Sequence, residues 1–228
     1  MKPLNLTIVG LEGASKSTSI ETIKSVFREY GLALNLTKEP GGSPTADRIR
    51  NLIKEDVGGD ELKPEPELLL FFASRMQTRE SVVKKSLDAG ESIISDRSWW
   101  CSYAYQAYKV MGDDLLDVFM YLKSRWENGG FKYDAVLFLD VDPLTGLKRA
   151  SERGELDRIE KKDLSFFERA REGYIKLASD EPSATTIDAN GTENEVQANV
   201  REWAEKLVKT SLNNSSRNYQ SGESQQNN

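Results

Sequence analysis

Apolar residues fall along this chain in short, near-continuous runs separated by longer stretches of helical period. "LNLTIVG" (4–10), "ALNLTK" (33–38), "ESIISD" (91–96), "YDAVLFLDV" (133–141) and "ATTIDA" (184–189) have strand length and β-branched content. Between them the spacing predicts helices over about 16–30, closed by Gly31, and about 45–54. A long helix runs from Pro66 to Gly90, with Leu69, Phe72, Met76, Val83 and Leu87 at core spacing. Further helices cover about 98–110 and 113–127, broken by Gly112, then a stretch from Pro143, about 164–179, and an amphipathic 193–212. Alternating strands and helices predict an α/β fold of βα units on a mostly parallel sheet. From Asn213 the composition is Ser, Asn, Gln and Gly, so 213–228 is expected to be a disordered polar tail after a single domain, 1–212.

Composition narrows the chemistry. The 228 residues, 38% apolar and 30% charged, suit one α/β domain with an ordinary core. No apolar run approaches the ~20 residues of a membrane span, and the N-terminus lacks a signal-peptide pattern, so no membrane partner is expected. One cysteine, Cys101, excludes an internal disulfide and fits a cytoplasmic location. Histidine is absent, which removes the commonest general base and metal ligand. A net charge of −6 argues against nucleic-acid binding, yet leaves room for a phosphate substrate held by a few focused arginines.

The strongest motif is "GLEGASKST" (10–18), between the first strand and the first helix. Gly10, Lys16 and Ser17 occupy the places of a phosphate-binding loop, G-x-x-x-x-G-K-[ST], with Ser15 where the second glycine belongs. Gly10, Gly13, Ala14, Ser15, Lys16, Ser17 and Thr18 would then form an ATP-binding loop. Backbone N–H groups would wrap a phosphate, Lys16 would bridge phosphates, and Ser17 would ligate Mg²⁺. Glycine at position 15 serves either a positive φ or space for the phosphate, and serine is a small handicap in either case.

Four more stretches carry candidate groups. "TKEPGGSP" (37–44) places Glu39 at a strand end, with Arg48 and Arg50 on the following helix. In "LLLFFASRMQTRE" (68–80), Phe71 and Arg75 stand one helical turn apart, a stacking surface beside a planar donor, as a nucleobase requires. "ISDRSWWCSYAYQ" (94–106) ends a strand with Asp96 and Arg97, candidates for Mg²⁺ and phosphate, followed by the polar Ser102, Tyr105 and Gln106. Trp99 and Trp100 read either as packing residues or as neighbours of a base site. Lys148, Arg149, Arg153 and Arg158 suit a lid over a transferred phosphate, over about 148–162.

Taken together, "GLEGASKST", "TKEPGGSP", "LLFFASR", "SDR" with "SYAYQ", "LFLDVDP", "ERGELDRIE" and "TIDA" resemble the thymidylate kinases, of the bacterial type, from about Leu4 to Leu207. The resemblance implies a three-layer P-loop nucleoside monophosphate kinase fold: a five-stranded parallel sheet flanked by helices, with a small lid, usually as a homodimer. It implies Mg²⁺-dependent transfer of the ATP γ-phosphate to dTMP, giving dTDP. Lys16, Asp96, Arg97, Arg149, Arg153 and Arg158 are then expected to be catalytic, with Ser17 and Asp96 at the metal. Glu12, Glu39, Arg50, Phe71, Arg75, Arg97, Ser102, Tyr105 and Gln106 are expected to bind dTMP. The pattern departs at Ser15, at Lys38 and Ser151 (arginine positions in relatives), and at Trp99-Trp100-Cys101. Two other readings therefore stay open: a kinase for other or more deoxynucleoside monophosphates, and a catalytically silent nucleotide-binding homologue.

Overall fold

A computed structural model describes the backbone of residues 1–55, 58–108, 113–153, 159 and 161–223. Five strands, β1 (Asn5–Val9), β2 (Leu34–Lys38), β3 (Ser92–Asp96), β4 (Ala135–Asp140) and β5 (Ala184–Asp188), pair in the order β2-β3-β1-β4-β5. Every pairing is parallel. The chain leaves β1 for β2 on one side and later returns to β4 on the other. β1 is thus the topological switch, and the loop after it opens at the ligand-binding rim.

Burial follows the sequence pattern: β1 is buried along its whole length, and β3 and β4 expose only their last residue in part. The edge strands β2 and β5 are mostly exposed, each with one buried residue, Thr37 and Ile187. The helices are α1 (Lys16–Glu29), α2 (Pro44–Lys54), α3 (Pro64–Thr78), α4 (Lys84–Asp88), α5 (Trp99–Ser102), α6 (Asp113–Glu127), α7 (Pro143–Arg153), α8 (Leu164–Asp180) and α9 (Glu193–Glu223).

Three differences from the expected elements matter. The long helix over 66–90 is interrupted by a π-helical turn at Arg79–Val83, and a second π turn, Tyr103–Ala107, follows α5. Such turns shift the side-chain register by one position and are common at functional sites. Because the buried stripe of α3 runs through Leu68, Phe72 and Arg75, Leu69 is 44% exposed rather than in the core. The backbone of α9 also continues as helix to Glu223, past Asn213, where the polar composition predicts disorder.

Trp100 and Trp126 are fully buried and Trp99 is nearly so, hence the Trp pair packs the core between α5 and α6. Phe119 of α6 meets Phe72 and Trp99, at centroid separations of 5.7 and 6.2 Å. This aromatic layer backs the segment carrying Arg97 through Gln106.

Candidate active site

The phosphate loop leaves β1 at Gly10 and closes on α1, whose N-cap residue is Ser15. Ser15 has φ 61° and ψ 29°, a left-handed backbone, and its side chain makes no capping bond. The glycine of the usual pattern is therefore wanted here for its positive φ, and serine adopts that conformation at a cost of about 1 kcal/mol. Gly13 has φ 73°, and a Cβ there would fall 2.2 Å from the carbonyl oxygen of Gly146 on α7. Lys16 folds over the loop, its Nζ donating to the carbonyls of Gly10 (3.0 Å) and Leu11 (2.7 Å). Burial, then the neighbouring Arg97 charge, lowers its pKa from 10.5 to about 8. Ala14 is buried, whereas Ser17 and Thr18 are exposed at the mouth of the loop.

Ser17 and Asp96 line one cleft of about 420 Å³, together with Ile20, Glu21, Leu36, Thr37, Lys38 and Gly42. Asp96 Oδ1 is buried there without a hydrogen-bond partner. An unpaired carboxylate oxygen beside a hydroxyl is a donor set that suits Mg²⁺, which favours oxygen ligands and keeps room for phosphate and water. Lys38 reaches no further than Asp47, 3.6 Å away and largely solvated.

On the other side of β3, a chain of polar contacts joins five residues. Arg97 Nη2 donates to Glu12 Oε1 (2.8 Å), and the Tyr105 hydroxyl donates to Glu12 Oε2 (2.6 Å). Burial pushes the Glu12 carboxyl up, but Arg97, Lys16 and Tyr105 outweigh it and hold it below its usual pKa. Burial works against the Arg97 charge as well, and the Glu12 carboxylate keeps it firmly protonated. Arg97 Nη1 lies 3.9 Å from Cys101 Sγ, which accepts a hydrogen bond from the Tyr174 hydroxyl at 3.0 Å. Arg97 itself has φ 75°, a left-handed backbone like that of Ser15.

Arg75 is buried against Phe72, its guanidinium carbon 4.7 Å from the ring centroid, rather than snorkelling outward. Its Nε donates to Glu39 Oε2 at 2.6 Å, and its Nη2 donates to Ser98 O (3.1 Å) and Ser102 Oγ (3.4 Å). Nη1 is buried without a partner. Desolvation raises the Glu39 carboxyl despite this partner. Gln106 Nε2 donates to Glu67 (2.9 Å) while its Oε1 is left unpaired. Phe71 is half-buried on α3.

The Glu-Pro-Gly-Gly turn after β2 is pinned to α3, because Gly41 N donates to Ser74 Oγ (2.9 Å) and Thr78 Oγ1 donates to Gly41 O. Arg50 Nη1 donates to Pro40 O at 2.9 Å, which holds that side chain along the turn.

The structure thus gathers Glu12, Lys16, Ser17, Glu39, Arg75, Asp96, Arg97, Ser102, Tyr105 and Gln106 on the rim beside the loop. Arg149 reaches the loop at Gly13, its Nη1 donating to that carbonyl at 3.5 Å. Residues 148–153, expected in the lid, belong to α7, and Arg149 donates to the carbonyls of Ala189 (2.7 Å), Asn190 (3.0 Å) and Gly191 (2.9 Å). Arg153 closes α7 with its side chain outside the described residues, as Arg158 is altogether.

The sequence reading missed Gly146, whose own Cβ would meet Glu12 O at 2.5 Å. The signal was available, since a lone glycine inside an amphipathic helix usually marks close packing. It missed Tyr174 too, which looks like an ordinary core aromatic.

Comparison with known proteins gives one consistent result. The chain matches the thymidylate kinase family over residues 8–200. It is 42% identical over 204 residues to the thymidylate kinase of Vibrio parahaemolyticus, covering 89% of this chain and 95% of that one. It is 41% identical over 208 residues to that of Vibrio vulnificus, covering 89% and 96%. With the thymidylate kinase of Shewanella amazonensis it shares 42% identity over 196 residues, covering 86% and 92%.

Proposed function

The chain belongs to the thymidylate kinase family, and on that premise we propose how its residues divide the work of passing the ATP γ-phosphate to dTMP. The observation that carries the acceptor half is the Arg75 guanidinium, fixed on two of its nitrogens and left with one buried donor unpaired. A planar donor bonded to Ser102, one helical turn from Phe71, suits the O4 edge of thymine stacked on an aromatic ring. Tyr105 and Glu12 face the sugar, Gln106 adds an unpaired acceptor nearby, and Arg97 and Arg50 face the 5′-phosphate.

On the donor side, the amides of residues 13–18 and the Lys16 ammonium hold the ATP phosphates. Nucleotide phosphates would draw Lys16 away from its carbonyl partners at Gly10 and Leu11. Ser17 and Asp96 would hold Mg²⁺, which neutralises charge on the phosphate oxygens. Phosphoryl transfer needs positioning and charge stabilisation more than a general base, so a chain without histidine can perform it. Arg149 ties the loop after β5 to the phosphate loop and shapes the donor side. Arg153 and Arg158 remain the candidates to close over the γ-phosphate.

A homodimer is part of the reading, with exposed Leu69 on α3 and Leu116 and Met120 on α6 as its apolar face. Among the described residues no helix is long and apolar enough to cross a membrane, and the single free thiol fits a reducing cytoplasm. The two other readings of the sequence are not favoured, since the family match spans the donor and acceptor motifs alike. The test is ADP release with Mg-ATP across dTMP, dUMP, dCMP, dAMP and dGMP. dTMP is expected to give the highest kcat/KM, and a better acceptor among the others would overturn this reading.

A further inference from the structure

Arg97 is placed unusually for a residue asked to hold an anion. Its φ of 75° is one that side-chain-bearing residues avoid, and such a conformation persists only where the surroundings over-determine it. The backbone is pinned from β1: Arg97 N donates to Ile8 O at 2.9 Å, and the Thr7 hydroxyl donates to Arg97 O at 3.2 Å. These bonds fix where the side chain starts, not where its guanidinium ends.

Two contacts fix the guanidinium. Glu12 takes Nη2, but the same carboxylate already accepts from Tyr105. The other contact uses a different nitrogen, Nη1, which reaches Cys101 Sγ at 3.9 Å. Sulfur is a weak acceptor, so an unsupported thiol would be a poor anchor. Here it is oriented from behind by Tyr174, whose hydroxyl donates to Sγ at 3.0 Å. Tyr174 is fully buried on α8, stacked on Phe138 (5.4 Å, 23°) and edge-on to Tyr105 (6.0 Å, 83°). The contacts close a ring: Tyr174, Cys101, Arg97, Glu12, Tyr105 and back to Tyr174.

We propose that Tyr174 and Cys101 are positioning residues that hold the Arg97 guanidinium in line for the acceptor phosphate. The proposal rests on the reading of Arg97 as the residue that meets the 5′-phosphate. It follows that the helix after the lid segment and the strand-end arginine are mechanically joined through one thiol.

Tyr174→Phe keeps both ring contacts and deletes only the hydroxyl, Cys101→Ala deletes the sulfur, and Cys101→Ser restores a small acceptor. Binding of dTMP and of thymidine, which lacks the phosphate, is measured for each by calorimetry, with thermal unfolding alongside. Tyr174→Phe and Cys101→Ala are each expected to weaken dTMP by about three- to tenfold, as loss of one oriented hydrogen bond would. Thymidine should move less than twofold. The double variant should lose no more than either single one, because both act on one contact, and Cys101→Ser should recover most of the affinity.

Equal weakening of dTMP and thymidine, or no weakening of either, overturns the positioning role. Arg97→Ala serves as the separate check on the premise. If it fails to weaken dTMP relative to thymidine, the phosphate reading of Arg97 falls, and the inference built on it falls too. If it does so while Tyr174→Phe does not, only the positioning role is lost.

Discussion

Gly13 of the phosphate loop and Gly146 of α7 pack backbone against backbone, so that a Cβ on Gly13 would stand 2.2 Å from the Gly146 carbonyl oxygen. The contact runs both ways, because a Cβ on Gly146 would stand 2.5 Å from Glu12 O. No flexible side-chain end is available to yield; one backbone must shift. Gly146 lies in α7, where alanine itself is a better helix former than glycine. Gly146→Ala therefore tests crowding alone. It is expected to lower stability by about 1–3 kcal/mol and to reduce kcat/KM for ATP by displacing the loop. An alanine variant with raised Tm and unchanged ATP kinetics would show that α7 does not set the loop's position.

Ser15 makes a second, opposite case. Its left-handed φ of 61° belongs to the turn into α1, so the conformational penalty falls chiefly on folding. Ser15→Gly removes a strain of about 1 kcal/mol and adds back some unfolded-state entropy, giving a net change below ~1 kcal/mol. The KM for ATP should move less than about threefold. Ser15→Val, β-branched in a left-handed position, is expected to cost more than 1 kcal/mol. Denaturant unfolding with ATP titrations checks both. A tenfold fall in ATP KM for the glycine variant would instead show that the serine side chain crowds the phosphate.

How much of this was legible beforehand depends on which physics sets each feature. β1 and β4 are apolar because both faces are covered, and that requirement is written directly in their residues. Gly10, Lys16, Ser17, Asp96 and Arg97 were readable because strand-end and loop positions demand particular side chains. Leu69 against Leu68 was not. The buried stripe of α3 includes the polar Ser74, Arg75 and Thr78, which hydrophobic periodicity assigns to solvent. Arg149 reads as a free lid cation until three carbonyls of the loop after β5 are seen to take its donors. Tyr174 and Cys101 gain meaning only through a contact spanning 73 positions.

Lys16 gives a pH prediction with two opposite signs. Its folded pKa of about 8 lies below its ordinary 10.5, so between these values the unfolded chain binds more protons. The stability of the protein relative to Lys16→Met should therefore rise as pH increases through that window. ATP capture requires the protonated ammonium, so kcat/KM for ATP should fall over the same window. Saturating Mg-ATP should hold the lysine charged, leaving kcat flatter than kcat/KM. A kcat/KM profile for ATP that stays level to pH 10 would remove Lys16 as the phosphate-binding cation.

Asp96 separates stability from function most directly. One of its carboxylate oxygens, Oδ1, is buried without a partner in a cleft it shares with Ser17. An unpaired buried oxygen of a carboxylate weakens the fold. Asp96→Asn removes the charge and nearly preserves the shape, so without metal the variant is expected to be as stable as the wild type or more so. Activity with Mg-ATP should fall by about a hundredfold or more, because an amide is a far weaker ligand for a hard cation. Added Mg²⁺ with ATP should raise the Tm of the wild type and leave the variant nearly unmoved. The opposite pattern, a destabilised Asn variant that keeps its metal-dependent Tm shift, would mean that Asp96 braces the end of β3 and that the cation is held by other groups.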